Sequence, residues 1–186
     1  GGDQGSAGSQ DANGLPGLAR AESAPVDSTF GGRDGQDDPL IITTLAELQA
    51  MNDELGGHYA LGADIDAAET ESRGPYGFEP IGSEDEPFTG SLDGRGHTIA
   101  GLYIDREHES HVGLFGYTAM EAQITDVGLV DVRITGLSDT GALVGHNRGS
   151  IWNSYSEAGL VRGSQAVGGL VGETVGGDTA SGSVTD

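Results

Sequence analysis

The sequence predicts an all-β fold, a single-chain parallel β-helix with a short N-terminal capping helix. The first observation behind this is a repeat. Residues 140–177 match the preceding chain at a shift of 27 residues: Gly136 falls on Gly163, Gly141 on Gly168, Leu143 on Leu170, Val144 on Val171, and Gly145 on Gly172. One rung earlier the phrase reads Gly113-Leu114-Phe115-Gly116, and Ile124 and Asp126 pair with Ile151 and Asn153. The second observation is strand periodicity, since Val130, Val132 and Ile134 alternate with Asp131 and Arg133. The third is the regular placement of glycine, expected at corners for its tolerance of positive φ. A β-rich unit this short buries its apolar face only against its neighbours in a stack.

The elements follow in order. Residues 1–39 are dominated by Gly, Ser, Asp, Ala and Pro without apolar periodicity, so they read as a flexible acidic linker. The domain is expected over 40–186. Leu40, Ile41 and Ile42 read as an edge strand. Thr44 and Glu47 fit a capping box, and Leu45, Leu48 and Met51 have helical spacing, so a helix is expected from Leu45 to about Asn52, stopped by Gly56-Gly57. A helix here would cover the open end of a solenoid. Tyr59, Leu61, Ala63 and Ile65 alternate as a strand. Residues 67–87 read as a loop with Phe78, Pro80 and Ile81 tucked beneath it. Residues 98–104 form a strand pair broken at Gly101, and 105–111 form a charged excursion.

Each 27-residue rung has room for three strands of four to six residues. Leu114, Leu143 and Leu170 are expected in one buried column, with Phe115, Val144 and Val171 on the opposite strand face. Ile124, Ile151 and Val184 are expected in another column, with Asp126, Asn153 and Asp186 at the following corner. That register makes the last loop longer than its counterparts and leaves the final rung incomplete, so the native chain is expected to continue past Asp186. The start at Gly1 suggests a processed or trimmed fragment, which leaves room for a removed export signal.

Composition limits the function. There are 30 acidic residues against 8 basic, a net charge of −22, and every basic residue is arginine. Such a surface repels nucleic acid and anionic membranes. A folded, acidic, lysine-free chain fits a halophilic setting, because screening shortens to about 3 Å near 1 M salt and suppresses self-repulsion. There is no cysteine, which excludes disulfides, thiolate metal sites and cysteine nucleophiles. No apolar run approaches the roughly 20 residues that span a bilayer, so no membrane insertion is expected in this segment.

The phrases around Gly113-Leu114-Phe115-Gly116, Gly141-Ala142-Leu143-Val144-Gly145 and Gly168-Gly169-Leu170-Val171-Gly172 resemble the GLUG motif. Residues 149–156, with Ile151, Asn153 and Tyr155, resemble that family's Gly-x-Ile-x-Asn-Ser-Tyr-Ser phrase. Residues 88–102 resemble its lead-in, and 41–66 its N-terminal cap. The resemblance covers residues 40–186. It implies a right-handed parallel β-helix from a secreted or surface-anchored protein. Such repeats occur in adhesin-like proteins and beside peptidase domains of immunoglobulin-A-cleaving metallopeptidases, and they are not themselves known as catalytic.

Candidate chemistry is sparse. Asp126 and Asp131 lie five apart on one rung, with Asp93 preceding them, and are the carboxylate pair to weigh for glycan cleavage; Arg133 and Arg162 are the candidate cations for an acidic sugar. A recurring Asx corner explains Asp126 better, its side chain bonding backbone. His108, Glu109 and His111 suggest a metal site but sit in a charged loop, and their spacing is not His-Glu-x-x-His. Asp64 and Asp66 share a strand face and could hold Ca2+. Trp152 and Tyr155 bracket Asn153 and could stack on a sugar. The expected function is a non-catalytic extracellular or cell-surface scaffold for adhesion, stalk or binding, with a surface glycan or protein as partner and no obligatory cofactor. The alternatives are a polysaccharide-active β-helix enzyme using Asp126 and Asp131, and an accessory module of a larger secreted hydrolase or peptidase.

Overall fold

A computed structural model of the chain describes residues 38–177, 179–180 and 183–185. All of the expected linker except Asp38 and Pro39 lies outside these residues. Strand β1 (Leu40–Ile42) is followed by helix α1 (Leu45–Gln49), which tightens into a 3-10 turn over Ala50–Asp53. The capping box forms as expected: Thr44 Oγ1 accepts from Glu47 N at 3.2 Å, and Glu47 Oε2 accepts from Thr44 N at 3.0 Å. Leu45, Leu48 and Met51 turn into the core. The strand expected over 59–65 is two strands, β2 (His58–Leu61) and β3 (Ile65–Asp66). In the loop that follows, Phe78 and Ile81 are fully buried and Pro80 is half-buried.

The chain then climbs in rungs. The first full rung holds β4 (Ser91–Asp93), β5 (Thr98–Ala100), β6 (Tyr103–Asp105) and β7 (Phe115–Thr118). The second holds β8 (Gln123–Thr125), β9 (Gly128–Val130), β10 (Arg133–Thr135), β11 (Ser138–Gly141) and β12 (Val144–Asn147). The third holds β13 (Ser150–Trp152), β14 (Tyr155–Glu157), β15 (Leu160–Arg162), β16 (Gln165–Gly168) and β17 (Val171–Thr174), and β18 (Thr179–Ala180) and β19 (Ser183–Thr185) begin a fourth. The strands pair in parallel, each with its counterpart in the next rung. The sheets run β1-β2-β4-β8-β13-β18, β3-β5-β9-β14-β19, β6-β10-β15, β11-β16 and β7-β12-β17.

A complete rung therefore has five strands of three or four residues, not three longer ones. Corners on either side of the second strand come from non-glycine residues in the left-handed region, Asp126 and Asp131 in the second rung and Asn153 and Ala158 in the third, and a further such pair, Asp139 and Ala166, bends the backbone within β11 and β16. Asp131 interrupts what looked like continuous alternation. Val132 and Ile134 are buried as expected, but Val130 is only half-buried and Leu129, before it, fills the core.

The motif glycines also serve a different purpose from the one expected. Gly113, Gly116, Gly141, Gly145, Gly168 and Gly172 are not among the positive-φ residues. They are needed because backbone passes too close for a side chain. A Cβ on Gly145 would lie 2.5 Å from His111 C and Val112 N, and one on Gly172 would lie 2.4 Å from Thr140 N.

The core is built of columns. Tyr59, Leu92, Ile124 and Ile151 are in register, as are Ile65, Ile99, Leu129 and Ser156. Leu114, Leu143 and Leu170 are all buried at equivalent positions, and Phe115, Val144 and Val171 pair in register. Leu114 sits in the bend before β7, which lets both it and Phe115 be fully buried; the Phe115 ring packs 4.7 Å from Phe88. The expected column of Ile124, Ile151 and Val184 is corrected. Ile151 pairs with Thr179, whereas Val184 pairs with Ser156 in the next sheet. The loop between the third and fourth rungs is accordingly much shorter than the expected register required. Asp186 lies outside the described residues.

Candidate functional site

Two positions of the repeat bring polar side chains together on one flank. The left-handed corner position carries His111 (φ 61) and Asp139 (φ 48) in successive rungs. The third residue of the β7-β12-β17 sheet carries Tyr117, His146 and Glu173 in register. Because Gly145 has no side chain, the corner backbone approaches β12 closely, and this sets His146 beside Asp139. Asp139 Oδ2 lies 3.1 Å from His146 Nδ1 and 3.3 Å from His111 Nε2. Glu173 Oε2 is 3.7 Å from His146 Nδ1. The Tyr117 ring stacks on His146 at 4.5 Å and meets His111 edge-on at 5.3 Å. His111, Asp139 and His146 are mostly shielded from solvent, with side chains 22%, 14% and 13% exposed. Among the described residues this is the one cluster of three or more ligating side chains within reach of a single ion.

Of the metal residues expected from sequence, His111 joins this cluster, while His108 points into solvent beside Glu107 and Glu109 pairs with Arg106. The missing partners lay one rung away. Writing the chain on its repeat, so that His111 falls over Asp139 and Tyr117 over His146, was the signal available. Asp64 and Asp66 are both exposed, on the outer side of buried Ile65. The Thr98 backbone N–H, at 2.9 Å, and then the His97 side chain hold the Asp64 carboxyl below its usual range. Asp66 Oδ1 accepts from Ala68 N at 3.0 Å.

The carboxylates considered for catalysis are spread over separate corners. Asp126 ends β8 and accepts from Asn153 Nδ2, so this Asx pair bonds across the rungs rather than to its own backbone. Asp93 accepts from Arg95 N at 2.9 Å, and Asp131 lies beyond β9 at the next corner. Asp131 and Arg133 line a shallow cavity of about 220 Å3 with Glu71 and Tyr103. Arg133 Nη1 is bound there to Glu71 at 2.8 Å. Burial, and then the Asp105 carboxylate, push the Tyr103 phenol up. Arg162 ends β15 and is exposed at the far end of the same sheet. Trp152 is 47% exposed on β13, and Tyr155 is half-buried on β14. The corner at Asn153 puts these two residues on different sheets.

A further groove of about 390 Å3 lies between Pro75, Tyr76, Asp105, Arg106, Glu107 and His108. The Arg106 guanidinium sits over the Tyr76 ring at 5.5 Å. The sequence reading did not single out Tyr76 or Arg106, since neither occupies a repeat position. No helix among the described residues is long and apolar enough to cross a membrane.

No family model matches the chain. The chain is 41% identical over 165 residues to halomucin of Haloquadratum walsbyi, a match covering 83% of this chain and 2% of that protein. It is 34% identical over 138 residues to a Gly-rich membrane protein, so named, of Evansella cellulosilytica, covering 71% of this chain and 16% of that one. It is 31% identical over 125 residues to the immunoglobulin A1 protease of Streptococcus sanguinis, covering 67% of this chain and 6% of that one. Among solved structures, a Bacteroides ovatus protein bearing the immunoglobulin A1 protease name aligns with a TM-score of 0.49 and 17% identity, over 81% of this chain and 67% of that one. The chain thus spans a small fraction of the curated relatives it matches.

Proposed function

We propose that the chain is a non-catalytic repeat scaffold of GLUG type, a right-handed parallel β-helix that works outside the cell or at its surface in adhesion, as a stalk or as a binding module. The observation that supports this most is the fate of the carboxylates. Glycoside cleavage wants two of them facing each other at about 5–10 Å. Asp126 and Asp131 instead occupy successive corners at either end of β9, in the backbone conformation the repeat needs there. The likeness to halomucin and the net charge of −22 support a halophilic surface setting. Trp152, Tyr155 and the Tyr76 groove are the faces offered to a glycan or protein partner.

The test is a panel of polysaccharides and peptides offered to the folded chain, where no product is expected. Product that disappears on Asp126→Asn or Asp131→Asn would instead establish the enzyme reading. Thermal melts in dilute buffer and in molar KCl test the halophilic part: the midpoint rises with salt as self-repulsion is screened, and equal midpoints remove that part alone. A second reading, an accessory module of a larger secreted peptidase, draws on the match to the streptococcal protease, of which this chain corresponds to 6%.

A further inference from the structure

We propose that His111, Asp139 and His146 form a binding site for one borderline divalent cation of the Zn2+ class, a clip that ties successive rungs together. The spacing of the donor atoms carries the argument. A tetrahedral ion with bonds of about 2.0–2.2 Å holds its donors about 3.3–3.6 Å apart. The separations here are 3.1 Å and 3.3 Å from Asp139 Oδ2 to the two imidazole nitrogens, and 3.7 Å from His146 Nδ1 to Glu173 Oε2. The three principal donors all lie within 4.8 Å of one another. Two imidazoles converging on one carboxylate oxygen bring three lone-pair donors toward one point, with Glu173 beside His146 and a fourth position left for water.

The donor chemistry narrows the ion. Imidazole nitrogen disfavours Ca2+ and Mg2+, which take oxygen ligands, and suits Zn2+ and its neighbours. The site is also built to hold its geometry. Tyr117 packs against both imidazoles. His111 and Asp139 are fixed in left-handed backbone, a conformation that non-glycine residues keep only where surrounding structure imposes it. His111 N also donates to Ser138 O at 3.0 Å, locking the two corners in register. His111 comes from the first full rung, Asp139 and His146 from the second, and Glu173 from the third. An ion held by His111, Asp139 and His146 would join the first and second full rungs, which are otherwise linked by backbone pairing and the core. The proposal is independent of the scaffold reading.

The test is calorimetric titration of ZnCl2 into the chelator-treated 186-residue chain, in about 1 M KCl so that diffuse attraction to the acidic surface is screened. One Zn2+ per chain and a raised thermal midpoint are expected, with no such effect from CaCl2. His146→Gln and Asp139→Asn, shown to be folded by circular dichroism, should each lower Zn2+ affinity about 100-fold or more, while His108→Gln leaves it unchanged. Should the variants not fold, Co2+ added to the unaltered chain decides. The proposal expects the intense visible absorption of a low-symmetry four-coordinate ion, erased by Zn2+. A spectrum of hydrated Co2+, absence of Zn2+ binding, or undiminished binding by folded His146→Gln would each overturn it.

Discussion

The second and third rungs are copies in backbone but not in burial, and the difference separates what the repeat requires from what stabilises it. Their corners match: Asp126, Asp131 and Asp139 at φ 56, 53 and 48, against Asn153, Ala158 and Ala166 at 49, 54 and 48. Their contents do not. Thr140 is fully buried, whereas Val167, paired with it, is 43% exposed. Ile134 is buried while Val161 is half-buried, and Leu143 is 0% exposed against 8% for Leu170. The second rung is sandwiched on four of its five sheets, and on the fifth a single bridge, Val112 to Thr140, flanks β11. The third has a described neighbour beyond it only on the sheets of β18 and β19. Backbone geometry thus propagates by pairing alone, while the hydrophobic contribution depends on having rungs on both sides.

The largest expected effect uses the leucine column. Leu143→Ala should destabilise by about 3–5 kcal/mol and Leu170→Ala by about 2–3 kcal/mol, because the outer site can relax around the deletion. Denaturant midpoints measure both, and equal losses would break the comparison. Next are the motif glycines. Gly145→Ala drives a methyl to 2.5 Å from the His111 and Val112 backbone in a rung held from both sides, and should cost about 3 kcal/mol. Gly172→Ala meets Thr140 N at 2.4 Å, but its rung can lift away, so about 1–2 kcal/mol is expected.

The capped end gives a smaller effect. Thr44→Ala should cost about 1 kcal/mol. Partial burial pushes the Glu47 carboxyl up, but hydrogen bonds from Thr43 and Thr44 outweigh it and hold the group below its usual range. A carboxyl whose folded pKa is lowered stabilises fully above the usual carboxylate range and loses that contribution as pH falls through the lowered value. Glu47→Gln should therefore flatten part of the acid limb of a stability–pH profile and leave neutral and alkaline slopes alone. The smallest effect is at the corners. Ala158→Gly relieves left-handed strain of about 1–2 kcal/mol and loses about 0.5–1 kcal/mol to unfolded-chain entropy, for a net gain of about 0.5 kcal/mol. Asp131→Gly, replacing a residue more tolerant of that conformation, should be near neutral.

The sequence made much of this legible where repetition and period coincide. Leu114, Leu143 and Leu170 share a motif position and a column, and Thr44 with Glu47 announces the capping box at the residues where it forms. The number of corners was hidden, because sequence reasoning assigns left-handed turns to glycine while this chain places Asp, Asn and Ala there. The motif glycines instead answer to backbone proximity between rungs, which is a tertiary property. The pairing of Val184 was misplaced because Val184-Thr185-Asp186 mimics Ile124-Thr125-Asp126, and only the ladder shows Ser156 as its partner. The His111–Asp139–His146 cluster is half legible in the sequence: His111 stands in a His-Glu-Ser-His phrase, but its partners lie one rung away rather than near it in the chain.

Residue-resolved hydrogen exchange tests the central claim, a stack of equivalent rungs whose protection comes from neighbours on both sides. The amides of Leu114 and Phe115 donate across rungs to Ala142 O at 3.1 Å and Leu143 O at 2.8 Å, inside the sandwiched part of the stack. They should be among the slowest to exchange, with protection approaching the global unfolding free energy, and those of the third-rung strands β15 and β17 should exchange faster through local opening. Equal protection of the second and third rungs in a monomer, or faster exchange in the second, would contradict this account.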